Sequence, residues 1–361
     1  MPLTAAQLAD INNATYETFL NKGKVLAQNI QQKPLLKLID GAAGSFAGGR
    51  DTVALNVKAG QGGGSLQGYS GDDQLTFYNP TGIKRARYNW KEHHIGKQIT
   101  HTELKENGID VIDSDAGNDS TAIMSGREKH ALANILDEKN EMMAEDYAVS
   151  MNGLLWGDGT SDSKALAGIQ SLLFANPLAG TTGGLSRAIY PWWRNRAATA
   201  AAAAAGGQDE ITSSTANGGA LIEFMDKEER QRTRFKTPGS RIVRLCGSDF
   251  IDAYKRELRA NGYYTQTGWG NGMPDGSMKD PKHDNIPLQY DPTLDDLGLS
   301  KRCYTLDIGR NGIRLLYMDG QRRKKHNPAR PYDRLVMYNG VTTTAVLTAK
   351  QLNTSGVYDI A

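Results

Sequence analysis

The stretch GGLSRAIYPWWRN, Gly183 to Asn195, sets two adjacent tryptophans among arginines, after a run of small residues and a proline. On a strand, neighbouring side chains point to opposite faces. Trp192 and Trp193 then divide between the chain's own core and a neighbour, or else share a single core. Each aromatic buries about 150–250 Å², so the division decides whether this segment joins two layers or two molecules. Arg187, Arg194 and Arg196 flank the pair and are suited to carboxylate partners.

Upstream, residues 125–156 carry the strongest periodic signal. Ser125 and Glu128 fit a capping box. Leu132, Ile135, Leu136, Met142, Met143, Tyr147, Met151, Leu154 and Leu155 recur at three- and four-residue steps, which predicts a core-facing stripe. A helix of that length reaches about 45 Å at 1.5 Å per residue, a spine rather than an ordinary element. Gly157 and Gly159 end it. Residues 176–190 are rich in turn formers, and the alanine run near 200 reads as a weakly specified link.

Downstream, a separate unit is expected from Gly219. A helix over 220–234 ends before Pro238, SRIVRLC (240–246) reads as a buried strand, and Ser248 starts a second helix. Short strands follow around 286–291, 302–309 and 313–319. The tail, 334–352, predicts a hairpin turning at Asn339–Gly340 and returning to the domain of the spine.

Nearer the N-terminus, a helix is predicted over 4–30, closed by Pro34 and the small-residue run 41–49. TVALNVK (52–58) and QLTFYN (74–79) alternate as strands do, around the glycine-rich GQGGGSLQG (60–68). An extended segment, 84–104, is polar on both faces. A hairpin with so little apolar content is marginal alone, so residues 50–108 are expected to lie against another chain. Lys84, Arg85, Arg87 and Trp90 are its candidate contacts.

Composition narrows the classes. The chain has 361 residues, a formal net charge of +2 and 39% apolar residues. No apolar run approaches the roughly 20 residues of a membrane helix, and no signal peptide is evident, so a cytoplasmic site of folding is expected. The near balance of charge is unlike a dedicated nucleic-acid binder. Two cysteines, Cys246 and Cys303, do not make a disulfide framework.

Chemistry-bearing motifs are sparse. His93 and His94 are adjacent and face apart on a strand, a poor metal site. Cys246 lies in an apolar run with no base nominated beside it. GQGGGSLQG lacks the Lys-Ser/Thr ending of a phosphate loop. The acidic stretch 103–119 does not have EF-hand spacing. No catalytic, cofactor or metal residue is therefore assigned. The basic run QRRKKHNPARPYDR (321–334) offers Arg322, Arg323, Lys324 and Lys325 to acidic surfaces of a neighbour or to DNA phosphates.

The order of parts resembles the major capsid proteins of tailed bacteriophages, with the Hong Kong 97 phage-type fold. The local match is Gly168-Ile169-Gln170-Ser171-Leu172 followed by GGLSRAIYPWWRN, within 157–196. The resemblance implies an α+β chain with an N-terminal arm (1–49), an extended loop (50–108) and a peripheral domain with the spine helix (109–215, completed by 336–361). It also implies an inserted α/β axial domain (216–335). Further implications are a homo-oligomeric icosahedral shell of pentamers and hexamers around double-stranded DNA, located in the virion and assembled in the host cytoplasm. A portal, a decoration protein and, because only a short arm precedes the hairpin, a separate scaffolding protein are the implied partners. Some relatives join a loop lysine to an asparagine; Lys58 and Asn353 are of the right types, but no motif pairs them. An encapsulin-like compartment and an enzyme with an unrecognised site are the other classes kept open.

Overall fold

The computed structural model describes residues 3–4, 33–48, 51–58, 65–79, 82–106, 111–112, 126–260, 281–326 and 336–361. Most of the expected arm helix, the capping serine, residues 60–64 of GQGGGSLQG and 327–335 lie outside them. In chain order the main elements begin with α1 (Pro34–Gly41), β1 (Gly44–Phe46), β2 (Thr52–Lys58), β3 (Ile83–Asn89) and β4 (Lys91–Thr100). Then come α2 (Gly126–Trp156), β5 (Arg196–Ala198), α3 (Ala220–Thr233), β6 (Ile242–Cys246) and α4 (Ser248–Ala260). The remainder are β7 (Lys282–His283), β8 (Ile286–Tyr290), β9 (Arg302–Asp307), β10 (Ile313–Met318), β11 (Lys324–His326), β12 (Val336–Ala349) and β13 (Gly356–Asp359).

Two sheets organise the chain. One has six strands in the order β7-β8-β6-β9-β13-β5, and α3 and α4 supply Leu221, Met225, Phe250 and Tyr254 to the core on it. The other has five strands: β12 pairs antiparallel with β4, β10 and β11, and β1 adds in parallel to β10. The helix α2 has 31 residues, as its periodicity predicts. Its C-terminus reaches the six-stranded sheet, where Trp156 packs tilted against Tyr304 with ring centres 5.0 Å apart and donates to Asp291 at 3.2 Å. One continuous core holds Leu155, Trp156, Trp193, Leu245, Leu306, Leu315 and Leu347. Both sheets therefore pack around the end of the spine.

Several local expectations give way to partners distant in sequence. Asn339–Gly340 is not a turn: β12 is one strand of 14 residues. It finds a ten-pair antiparallel partner in β4, from Val336↔Thr100 to Ala345↔Lys91. Gly340 faces Gly96 there, and a Cβ on Gly340 would collide with the ring of His94. The glycine serves close approach rather than reversal. Pro34 opens α1, since a proline at the first helical position loses no hydrogen bond. The small-residue run 41–49 supplies β1. QLTFYN is irregular rather than a strand, because β3, not this segment, pairs with β2.

Sheet membership also departs from the expected domain spans. The segment after Gly219 builds β6 to β9 as anticipated, but β10, inside 216–335, joins β12 in the five-stranded sheet. Conversely β13, from the tail, and β5, before the link, complete the six-stranded sheet.

Candidate assembly surfaces

The hairpin of β2 and β3 has two unlike ends. At its base, strict alternation turns Val53, Val57, Ala86 and Tyr88 inward, and all four belong to the main core. Tyr88 donates its hydroxyl to the carbonyl of Ala349 at 2.9 Å. Burial pushes its pKa well above the ordinary phenolic value, so it stays a donor. The expectation that 50–108 has no interior support is thus corrected for the base. It is corrected too for β4, which is a full member of the five-stranded sheet.

The tip differs. Every residue from 65 to 79 is exposed. Within it Asp73 accepts from the Ser70 amide at 2.8 Å and Thr76 donates to Gln67 at 2.6 Å, which shape the loop without covering it. Leu66 is 105% exposed and Phe77 92%, with Tyr69, Leu75 and Tyr78 also open. Ile83, at the start of β3, is exposed as well. Clustered apolar exposure of this kind marks an interaction surface. These side chains went unassigned in the sequence because their alternation imitates a strand. The available signal was the adjacent Phe77 and Tyr78, which no single buried face accommodates.

GGLSRAIYPWWRN is the seat of the hairpin base. Gly183 sits at φ +59, where a side chain is strained, and its Cβ would lie 2.9 Å from that of Ala86. Its carbonyl accepts from the Arg87 amide at 2.9 Å. The tryptophans stand on a short 3₁₀ turn, Pro191–Trp193, not a strand. Trp193 is 1% exposed and donates to the Thr182 carbonyl at 3.0 Å. It is a core residue, which corrects its assignment as an interface candidate. Trp192 is half-buried against Tyr190 and Trp193, with ring centres 5.6 and 5.8 Å away.

The arginines of this segment also behave unlike the expectation. Arg187 is fully buried, and among the described residues its partners include no carboxylate. It donates to Thr182 Oγ1 at 2.8 and 3.0 Å and to Asn195 Oδ1 and the Leu172 carbonyl, and lies over the Phe174 ring at 4.4 Å. Burial lowers its pKa to about 10, which still leaves it charged at neutral pH. Arg194 donates to the carbonyls of Arg187 (2.7 Å) and Ala188 (3.1 Å). Only Arg196 meets a carboxylate, gripping both oxygens of Glu228.

The remaining candidates are distributed. Lys84 lies 5.9 Å over the Tyr190 ring, Arg85 and Arg87 are exposed along β3, and Trp90 is half-buried against Phe46. In the basic run, Asp40 accepts from Arg322 at 2.9 Å, Arg323 at 3.2 Å and Tyr317 at 2.8 Å. Those two arginines therefore clamp α1 to the five-stranded sheet before they can serve a neighbour. Lys324 is exposed and Lys325 half-buried on β11. A cleft of about 370 Å³ on the six-stranded sheet is lined by Ile222, Asp226, Glu229, Arg230, Lys282, His283 and Asp284, a mixture of both charges. Among the described residues no group of three or more His, Cys, Asp or Glu side chains is disposed to hold a metal, and no helix is long and apolar enough to cross a membrane.

No family model and no curated protein matches the sequence. Solved structures do match. A chain of the cyanophage A-1(L) capsid asymmetric unit aligns with TM-score 0.58 at 16% identity, covering 91% of this chain and 93% of that one. A chain of Mycobacterium phage Bobi gives 0.48 at 11%, with 90% and 89% covered. The holo-SrpI encapsulin complex of Synechococcus elongatus PCC 7942 gives 0.44 at 12%, with 91% and 86% covered. The mixed helix-and-sheet fold of this chain matches that of a phage capsid chain over about nine-tenths of its length.

Proposed function

We propose that this chain is the shell-forming major capsid protein of a tailed bacteriophage, structural rather than catalytic, on the Hong Kong 97 phage-type plan. The observation that carries this reading is the wholly exposed hairpin tip, 65–79, which gathers Leu66, Tyr69, Leu75, Phe77 and Tyr78 in one short segment, whereas the exposed large apolar side chains of the body, such as Met142, Ile189 and Leu297, lie far apart in the sequence. Fully burying a large apolar side chain yields about 1.5–3 kcal/mol. The tip's five such groups therefore leave roughly 8–15 kcal/mol unrealised in one copy, available only through association.

In this reading the extended loop is the hairpin of β2 and β3, the spine is α2, and the axial unit is built on β6 to β9 with α3 and α4. Copies associate into pentamers and hexamers of an icosahedral shell. Arg85, Arg87 and Lys324 are exposed cations for acidic surfaces of neighbours or, non-specifically, for phosphates of packaged double-stranded DNA. A separate scaffolding protein, a portal and a decoration protein complete the set of partners, and the virion is the destination.

Electron microscopy of the chain expressed with its scaffolding partner tests the reading. Closed icosahedral shells that package DNA are expected. Soluble monomers under all assembly conditions would sink the proposal, and small uniform shells filled with protein would replace it by the compartment class.

A further inference from the structure

Cys246 on β6 and Cys303 on β9 stand directly opposite each other in an antiparallel ladder. Both are 0% exposed, and their sulfurs are 3.2 Å apart. The next pair along, Gly247 and Arg302, is bridged by a backbone hydrogen bond of 2.9 Å. Since hydrogen-bonded and non-hydrogen-bonded pairs alternate, the cysteines occupy a non-hydrogen-bonded pair, where Cα atoms approach to about 4.5 Å. A disulfide spans Cα separations of about 4.4–6.8 Å. The two thiols can thus be joined without moving either strand.

Their surroundings favour ionisation of one sulfur. Arg244, two residues before Cys246 on the same face of β6, is fully buried. It shares Glu229 with the buried Arg232, so two guanidiniums meet one carboxylate beside the thiols. Burial opposes ionisation of Cys303, but the contact with Cys246 and the charge of Arg244 outweigh it and hold this thiol below its ordinary pKa. Cationic surroundings are the usual setting of a reactive thiolate.

We propose that Cys246 and Cys303 are an oxidative modification site: thiols while the chain folds, then a cross-strand disulfide formed by a hydroperoxide. The Cys303 thiolate attacks one peroxide oxygen. The O–O bond breaks, and the departing alkoxide or hydroxide takes up a proton, leaving a sulfenic acid. The Cys246 sulfur then attacks the sulfenic sulfur; the S–O bond breaks, the S–S bond forms, and water leaves with the Cys246 proton. Two electrons pass from the thiol pair to the peroxide. A reducing compartment keeps the pair open and an oxidising one closes it. Closure fixes β6 to β9 across 57 positions of sequence, in the sheet that carries α3 and α4.

The test uses the full-length chain, soluble or assembled, so its outcome is separable from shell formation. Fully reduced protein is exposed to hydrogen peroxide, denatured, alkylated and weighed. Untreated protein takes up two alkyl groups. Treated protein is expected to take up none, to weigh about 2 Da less, and to yield a linked peptide pair containing Cys246 and Cys303. Its thermal midpoint rises by about 5 °C and returns on addition of a phosphine reductant. The Cys246→Ser chain should show neither the mass loss nor the shift. Two alkylatable thiols after peroxide, or added oxygen atoms without a linked peptide, would overturn the proposal.

Discussion

The base and the tip of the β2–β3 hairpin are continuous in chain and opposite in physics. At the base, Val53, Val57, Ala86 and Tyr88 are 8% exposed or less, and the strand β3 is tied to Gly183 through Arg87. Nine residues beyond Val57 and nine before Ala86, Leu66 and Phe77 stand almost fully in solvent. One hairpin thus belongs to two packing environments, its own body at one end and solvent at the other. Apolar content alone does not separate them; what separates them is whether a platform lies beneath. The platform is GGLSRAIYPWWRN, itself held by the buried hydrogen bonds of Arg187 and Trp193.

The sharpest way to break that contrast is to remove the anchor of the base. Tyr88→Ala deletes a buried ring and leaves the Ala349 carbonyl without its 2.9 Å donor. A loss of about 3–5 kcal/mol is expected, the range for truncating large buried side chains. Denaturant unfolding of the soluble chain measures it as a lowered midpoint. A loss below about 1 kcal/mol would mean that the base, like the tip, takes its order from elsewhere.

What the sequence made legible follows the same division between local and distant causes. The spine helix and the strands β6, β8, β9 and β10 were readable because period and flanking breakers are local properties. The pairing of β4 with β12 was not, since the partners are more than two hundred positions apart and each is polar enough to pass for an independent hairpin arm. Asn339–Gly340 carried a turn signature, and a ten-pair ladder overrode it. For the site, the importance of the tryptophan segment was visible, but not that Trp193 faces inward on a 3₁₀ turn or that Arg187 needs no carboxylate. Those facts depend on Thr182, Asn195 and Leu172 converging, which no spacing rule encodes.

A smaller effect probes the body from its other sheet. His283 is buried beside Tyr254, whose hydroxyl lies 3.0 Å from Nδ1, while Asp226 lies 3.2 Å from Nε2. Burial first, then Arg244 and Arg232, lower its pKa against the opposing pull of Asp226 and Asp284. His93 is lowered too, by burial and Lys91. A histidine whose folded pKa is depressed binds its proton more readily in the unfolded chain. Stability is therefore complete above the unfolded value of 6.5 and declines as pH falls from there toward the folded value. Each such group contributes a slope of at most about 1.4 kcal/mol per pH unit. Unfolding midpoints at pH 7.5 and 5.5 measure the decline, and His283→Gln should make it shallower. An unchanged pH dependence in that variant would show that the imidazole is already solvated.

The smallest expected effect on stability is the most discriminating. Leu66→Ser, Phe77→Ser and Tyr78→Ser, combined, change side chains that touch nothing decisive in a single copy. Substitutions at exposed positions usually shift stability by no more than about 0.5 kcal/mol each. The denaturant midpoint of the soluble chain should therefore stay close to that of the unaltered protein. Assembly should fail, because the apolar area withdrawn from water on association is removed. Sedimentation and micrographs read the two consequences separately. A chain that unfolds markedly earlier would place the tip on its own body. A chain that retains its midpoint and still closes normal shells would assign the tip no part in assembly. Stability kept and shells lost is the combination that only a surface reserved for other copies produces.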